Sequence, residues 1–327
     1  MFFPVYVKLL SYLCDDLQIL VDHLFEIIAF MKIKYSFIIP HKNCPDLLKR
    51  CVDSIPQRED IQIIIVDDNS DSGKKPDIKR DGVEIFLLNA ENAKGAGRAR
   101  NVGLQHAEGE WLLFADADDY FTDYLPTLLD KFVGDDHTDI VYLNACKFDE
   151  NQVTKPFGTN KLIVNYLEGK KDADMHLKYD LWTPWSRMVR RSVVVDNAVA
   201  FDELPSANDK MFGLKCSFYA KSFKVEKEFV YKYYRPTTRS ITDKQRNSKT
   251  LDDLLDLRYR TIELYKKAGY KDLPAYWGIL HRSPYVRGLS FGKIFYKYMQ
   301  TLKATHTCLI SDQYYYYRKK IKARLHK

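Results

Sequence analysis

Asp116-Ala117-Asp118 sets two carboxylates two residues apart, just past the apolar run Trp111-Leu112-Leu113-Phe114-Ala115. If the chain stays extended there, both point the same way and offer hard oxygens to a divalent cation such as Mg2+ or Mn2+. Such an ion completes its shell with phosphate oxygens and water. A second acidic pair, Asp67-Asp68, ends the β-branched run Ile61 to Val66. A carboxylate there can accept a hydrogen bond from a base N–H or a ribose hydroxyl. The competing use is a turn or cap made by Asp68 or Ser70, and the two are compatible. Gly95-Ala96-Gly97-Arg98-Ala99-Arg100 brings glycines and two cations to a helix start, which allows close approach and charge compensation of a diphosphate. The spacing is wrong for the dinucleotide fingerprint, and the segment follows a third strand rather than a first, so a nicotinamide or flavin site is disfavoured.

The elements that must hold these groups alternate in type. Strand signals lie at Tyr35–Pro40, Ile61–Val66, Val83–Leu88, Trp111–Ala115 and Ile140–Leu143, with helical spacing at Pro45–Ser54 and Ala96–Ala107. The run Ile61 to Val66 reads as a strand buried on both faces. This alternation predicts an α/β fold, a doubly wound, mostly parallel sheet with flanking helices, whose ligands sit beyond the carboxyl ends of the strands. Pro40, Asp67, Asp68, Asp116 and Asp118 all fall at that edge. The expected organisation is an amphipathic extension over 1–32, a nucleotide-binding half over 33–150, an acceptor and catalytic half over 151–245, and a helical, basic, aromatic-rich region over 246–327. An amphipathic helix is expected over Leu251–Ala268.

Composition narrows the class. With 46% hydrophobic residues, 14 glycines and 12 prolines in 327, the chain is neither disordered nor collagen-like. Six cysteines without a CxxC pair argue for reduced thiols, and Cys44, Cys51, Cys146 and Cys216 read as small core residues. None of the eight histidines shows ligand spacing. The net charge of +7 is uneven: residues 281–327 carry eleven Lys/Arg against Asp312 alone, so the remainder is mildly acidic. Nucleic acid is therefore not an expected partner. Aromatics interleaved with the basic tail suit a membrane surface, and a solvated basic helix accounts for it equally well. No membrane span is expected, because Asp15, Asp16, Asp22 and Glu26 interrupt the apolar stretch from Val5 to Phe30. Its apolar residues Leu17, Leu20, Val21, Leu24 and Ile28 have helical spacing, and Met31 is a second candidate start.

Four motifs occur in order: a strand ending Ile38-Ile39-Pro40; Val66 to Ser70; Gly95-x-x-x-Ala99-Arg100-Asn101-x-Gly103; and Phe114 to Asp119. Over residues 33–150 this set resembles the family 2 inverting glycosyltransferases, nucleotide-sugar enzymes of the GT-A fold, of the type that builds bacterial O-antigen and capsule. The resemblance implies that Asp68 contacts uracil beside Pro40, that Asp116 is the ribose-side acid and that Asp118 is the metal ligand, with Asp116 beside it and Mn2+ or Mg2+ as cofactor. Arg98 and Arg100 match a cation near the nucleotide. The matching catalytic base is Asp209 in Ser206-Ala207-Asn208-Asp209, where Asn208 replaces the usual Glu; Asp202 and Glu203 are alternatives. The segment Tyr233 to Thr242 resembles the stretch that closes over the diphosphate, with Arg239 or Arg235 as candidates. Trp182 and Trp185 resemble acceptor-side aromatics, with core packing as the other use.

The implied reaction moves a hexose from a UDP-sugar to an undecaprenyl-diphosphate-linked GlcNAc or GalNAc with inversion, giving a β linkage, expected as β-1,3. The setting is the cytoplasmic face of the inner membrane, with peripheral contact through the basic C-terminus. The alternatives are another saccharide or protein-linked acceptor, or a non-catalytic nucleotide-sugar-binding protein.

Overall fold

The computed structural model describes residues 33–148, 154–234, 248–274, 276, 291–314 and 317. The extension over 1–32, Arg235, Arg239 and eight of the eleven basic residues of the tail lie outside the described residues.

Strands β1 (Tyr35–His41), β2 (Ile61–Asp67), β3 (Val83–Leu87) and β4 (Trp111–Phe114) pair in parallel in the order β3-β2-β1-β4. Every residue of β2 is buried, as its β-branched run requires. Alternate side chains feed two cores. Phe37, Ile39, Ile63 and Leu113 meet helix α1 (Pro45–Asp53), while Ile38, Ile64, Leu112 and Phe114 meet helix α2 (Ala96–His106). Proline in its first turn, Asp46 near its start and Arg50 near its end suit α1 to its dipole. Because Tyr35 stands level with both Ile61 and Trp111, the carboxyl ends of β1, β2 and β4 finish side by side.

Beyond β4 the sheet becomes mixed. Two-residue β5 (Tyr120–Phe121) precedes helix α3 (Leu125–Lys131) and β6 (Ile140–Phe148). After β7 (Lys155–Pro156) come α4 (Gly158–Leu167), α5 (Ala173–Asp180), a 3₁₀ turn over Pro184–Ser186 and β8 (Arg187–Arg190). Strand β8 enters antiparallel between β4 and β6, so the expected parallel order holds through β4 and is broken there. The chain reaches β8 through α4, α5 and the 3₁₀ turn, and β8 then runs opposite to both of its neighbours. Helices α6 (Arg191–Val195) and α7 (Lys210–Tyr219) then lead to β9 (Phe223–Tyr234), which is parallel to β6 and antiparallel to β5. Residues on both sides of position 150 thus share one sheet.

Helix α8 (Ser248–Lys267) lays Leu257 and Tyr265 on Met211 and Leu214 of α7. Helix α9 (Phe291–Ala304) joins a smaller core with Leu255, Ile262, Tyr276, Tyr298 and Leu302. Asp312 is buried there, accepting from the Tyr298 hydroxyl at 2.8 Å and the Tyr276 N–H at 2.6 Å. Among the described residues no helix is long and apolar enough to cross a membrane.

Candidate active site

At the end of β2 the two adjacent acids divide their work. Asp67 makes the turn: it accepts from the Ser70 N–H at 2.9 Å, the Ser70 hydroxyl at 2.5 Å and His41 Nδ1 at 2.7 Å. Burial alone would raise its carboxyl, but these donors outweigh burial and hold it below the usual range. His41 Nε2 accepts the Cys44 N–H at 3.2 Å, so the network assigns the neutral tautomer with its proton on Nδ1. Asp68 is thereby left for partners outside that turn. Its Oδ1 accepts the Gly95 N–H at 2.9 Å and its Oδ2 lies 3.1 Å from Lys42 Nζ. Gly95 precedes α2 with φ 89°, a conformation that favours glycine, and so brings the helix start to Asp68. Pro40 sits half-buried one residue before the end of β1.

At the end of β4, Asp116 Oδ1 accepts from buried Arg100 at 2.5 Å, and the same guanidinium reaches Asn208 Oδ1 at 3.1 Å. One cation thus joins α2, the acidic loop and the segment before α7. Asp119 is fully buried and accepts from the Tyr231 hydroxyl at 2.7 Å and the Tyr234 N–H at 2.7 Å. Tyr231 in turn accepts the Asp116 N–H at 2.9 Å, so β9 braces the loop from below. Arg50 donates to the Asp118 carbonyl at 2.6 Å. Burial, then the negative charge of Asp116, push the Asp118 carboxyl up to about 6. Two hard-oxygen acids held together against their own repulsion are the donor set a divalent cation suits. Among the described residues no cluster of three or more His, Cys, Asp or Glu side chains forms a complete cage. The remaining shell would then come from ligand oxygens and water.

Asp209 immediately precedes α7 and makes no side-chain capping bond to it. Burial raises its carboxyl, Arg100 and Arg187 oppose that rise, and Asp116 adds to it, which puts Asp209 within the field of the same cluster. Ala207, two residues earlier, has φ 56°, a left-handed conformation that costs an alanine about 1 kcal/mol. Gly97 makes the approach of α2 possible: a Cβ there would lie 2.1 Å from the Asp202 carbonyl oxygen and 3.0 Å from Asn208 Cβ. The alternative acids are otherwise engaged. Asp202 takes a two-pronged grip from Arg260 of α8 at 2.9 and 3.0 Å. Glu203 lies 3.4 Å from Arg98 and 3.5 Å from Lys94.

The tryptophans behave differently from open acceptor platforms. Trp185 is 4% exposed, with its ring 7° from parallel to Tyr231 and its edge toward Phe157, so it is a core residue in place of the expected acceptor contact. Trp182 is half-buried against the core between α5, α7 and α8. Arg98 is paired with Glu203 and partly exposed, whereas Arg100 is buried. His41 and Tyr231 had no mark in the sequence as parts of this site, and only their neighbours in space reveal them; Asn208 was marked as the replacement for Glu, and its bond to Arg100 gives it a partner.

Comparison with known proteins follows the same lines. Residues 36–194 match the model of Glycosyl transferase family 2. The chain is 26% identical over 211 residues to the putative glycosyltransferase EpsH of Bacillus subtilis, covering 61% of this chain and 60% of that protein. It is 27% identical over 211 residues to the poly(ribitol-phosphate) beta-N-acetylglucosaminyltransferase TarS of Staphylococcus aureus, covering 61% and 35% respectively. The crystal structure of S. aureus TarS 1–349 in complex with UDP-GlcNAc shares the fold, with a TM-score of 0.54 and 21% identity over 71% of this chain and 66% of that one. The matches therefore span three fifths or less of the length of these curated relatives.

Proposed function

We propose a function on one premise: the chain belongs to glycosyl transferase family 2 through residues 36–194. It transfers a hexose, glucose or galactose, from a UDP-sugar to a lipid-diphosphate-linked GlcNAc or GalNAc, with inversion to a β linkage of the β-1,3 type. The expected product belongs to O-antigen or capsular polysaccharide. The observation that carries this reading is that α2 reaches three of the acidic segments: the Gly95 N–H at its start bonds Asp68, and its Arg100 bonds both Asp116 of the Asp116-Asp118 loop and Asn208, the neighbour of Asp209. TarS binds UDP-GlcNAc and is named for a β-linked product, which supports a UDP-sugar donor and an inverting course here.

Each residue has a task in the displacement. Asp68 and the half-buried Pro40 receive the uracil, and Asp116, held by Arg100, receives the ribose. Asp118 and Asp116 would hold Mg2+ or Mn2+, which when bound supplies positive charge against the departing diphosphate. Arg98 and Arg239 add cationic charge near the diphosphate. Asp209, raised by burial, accepts the proton of the acceptor hydroxyl as its oxygen attacks the anomeric carbon. The new C–O bond forms on the face opposite the breaking bond to phosphate, and UDP leaves with that electron pair. No covalent intermediate on the protein is required. Trp182, half-buried, is the remaining aromatic candidate for contact with the acceptor. The basic, aromatic C-terminal region supports a peripheral position at the cytoplasmic face of the inner membrane, where a lipid-linked acceptor lies.

The test is a panel of UDP-glucose, UDP-galactose and UDP-GlcNAc with a synthetic lipid-diphosphate GlcNAc acceptor, with and without Mn2+, and product anomericity read by NMR. Transfer with inversion, lost by about 10³-fold in Asp209→Asn, is the expected result. Unchanged turnover in Asp209→Asn removes Asp209 as the base; UDP-sugar binding with no transfer to any acceptor favours a non-catalytic binding protein.

A further inference from the structure

Arg187, the first residue of β8, is a fully buried cation that the displacement described above does not use. Its guanidinium is held by neutral groups. One nitrogen donates to the Gly213 carbonyl at 2.6 Å and to the Ser217 hydroxyl at 3.2 Å, and another donates to the Leu181 carbonyl. The Tyr142 ring centre lies 5.5 Å away. Burying a cation among neutral acceptors is costly, and a nearby anion is the ordinary way to offset it. One of the groups it grips, Gly213, lies one helical turn beyond Asp209. Gly213 donates its own N–H to the Asp209 carbonyl at 3.1 Å, closing the first turn of α7. A Cβ on Gly213 would lie 1.9 Å from the Trp182 carbonyl oxygen, so that turn and the 181–182 backbone are clamped together around the guanidinium.

We propose that Arg187 is a positioning residue for transfer: a fixed, buried cation that clamps the first turn of α7 and keeps the Asp209 side chain ionised and in place. This rests on the reading of Asp209 as the base. The charged groups that act on Asp209 are Arg100 from α2, Asp116 beyond β4 and Arg187 from β8; burial and Asp116 oppose its ionised form, and the two arginines favour it. Arg100 exerts the stronger pull on Asp209 but is also bound to Asp116 at 2.5 Å; Arg187 exerts the weaker pull and has no carboxylate within its hydrogen-bonded shell.

The experiment is a pH titration of the full chain labelled with carboxyl-13C aspartate, in wild type, Arg187→Gln and Arg187→Lys, with Asp209→Asn assigning the Asp209 resonance. In Arg187→Gln the Asp209 midpoint moves up by about one pH unit, a ten-fold tighter proton, and Arg187→Lys restores most of the shift. In the transfer assay the same variant loses about ten-fold in kcat at pH below the new midpoint, with donor KM within about two-fold. An unmoved Asp209 midpoint in folded Arg187→Gln overturns the proposal. If Arg187→Gln does not fold, Arg187→Met is read by the same titration; failure of both neutral variants to fold makes Arg187 a structural residue and also overturns it. Turnover retained in Asp209→Asn would remove the base reading while leaving the titration result intact, so the two failures are distinguishable.

Discussion

Single residues in this cleft are tuned by what surrounds them. Asp118 is raised to about 6 by burial and then by Asp116, whereas an unfolded aspartate titrates near 3.8. A carboxyl raised on folding favours the native state while it is protonated, and that contribution disappears as pH climbs through about 6. Without divalent cation, Asp118→Asn should therefore raise stability at pH 7 by about 1–2 kcal/mol and leave it unchanged at pH 4; thermal unfolding in chelator checks this. The pair Asp67-Asp68 shows what the order of residues leaves open. Both acids were visible at a strand end, but Ser70 and His41 claim Asp67, and only this frees Asp68 for Gly95 and Lys42. Removing the claim should show the division. Asp67→Asn, which loses a charge-assisted acceptor for three donors, should cost about 1–3 kcal/mol, measured by denaturant unfolding.

Elements set the distances between these groups. Helix α2 carries Arg100 to Asp116 and Asn208 only because Gly97 lets its first turn touch the 202–208 segment. Gly97→Ala places a methyl group against a backbone carbonyl, which has no flexible end to move aside. Expected are a loss of about 1–3 kcal/mol in stability and a fall in kcat exceeding any rise in donor KM, read by unfolding and steady-state kinetics. The first four strands and α1, α2 and α8 were legible, because apolar periodicity and turn residues mark them locally. Strand β8 was not, since Arg187-Met188-Val189-Arg190 has no strong alternating pattern and takes its place by pairing with β4 and β6. Two-residue β5 is likewise defined by β9 rather than by its own composition.

At the scale of the whole molecule, the C-terminal helices are joined to the site by charge as well as packing. Arg260 of α8 grips Asp202 and also bonds Asp256 at 2.7 Å. Arg260→Met should lower stability by only about 0.5–1 kcal/mol, because the pair is partly exposed, while raising hydrogen exchange across 202–209. The proposed peripheral attachment has its own measurement. Tyr296 and Ile310 are 63% and 77% exposed, and Lys303 is exposed as well. Replacing Tyr296 and Ile310 with Ser should weaken co-sedimentation with anionic phosphatidylglycerol vesicles several-fold and leave neutral vesicles unaffected.

The order of residues by itself determined the alternation of strand and helix, the acids and glycines at the strand ends, and through their spacing the resemblance to one enzyme family. These are local matters, written in periodicity and in turn chemistry. Tertiary structure alone decided that Asp202 and Glu203 are committed to Arg260, Arg98 and Lys94, that Trp185 is core, and that Arg187 and Arg100 lie close enough to act on Asp209. Such assignments depend on which partners arrive from some twenty to more than a hundred residues away, and electrostatic and packing partners at that range leave no periodic trace in the chain.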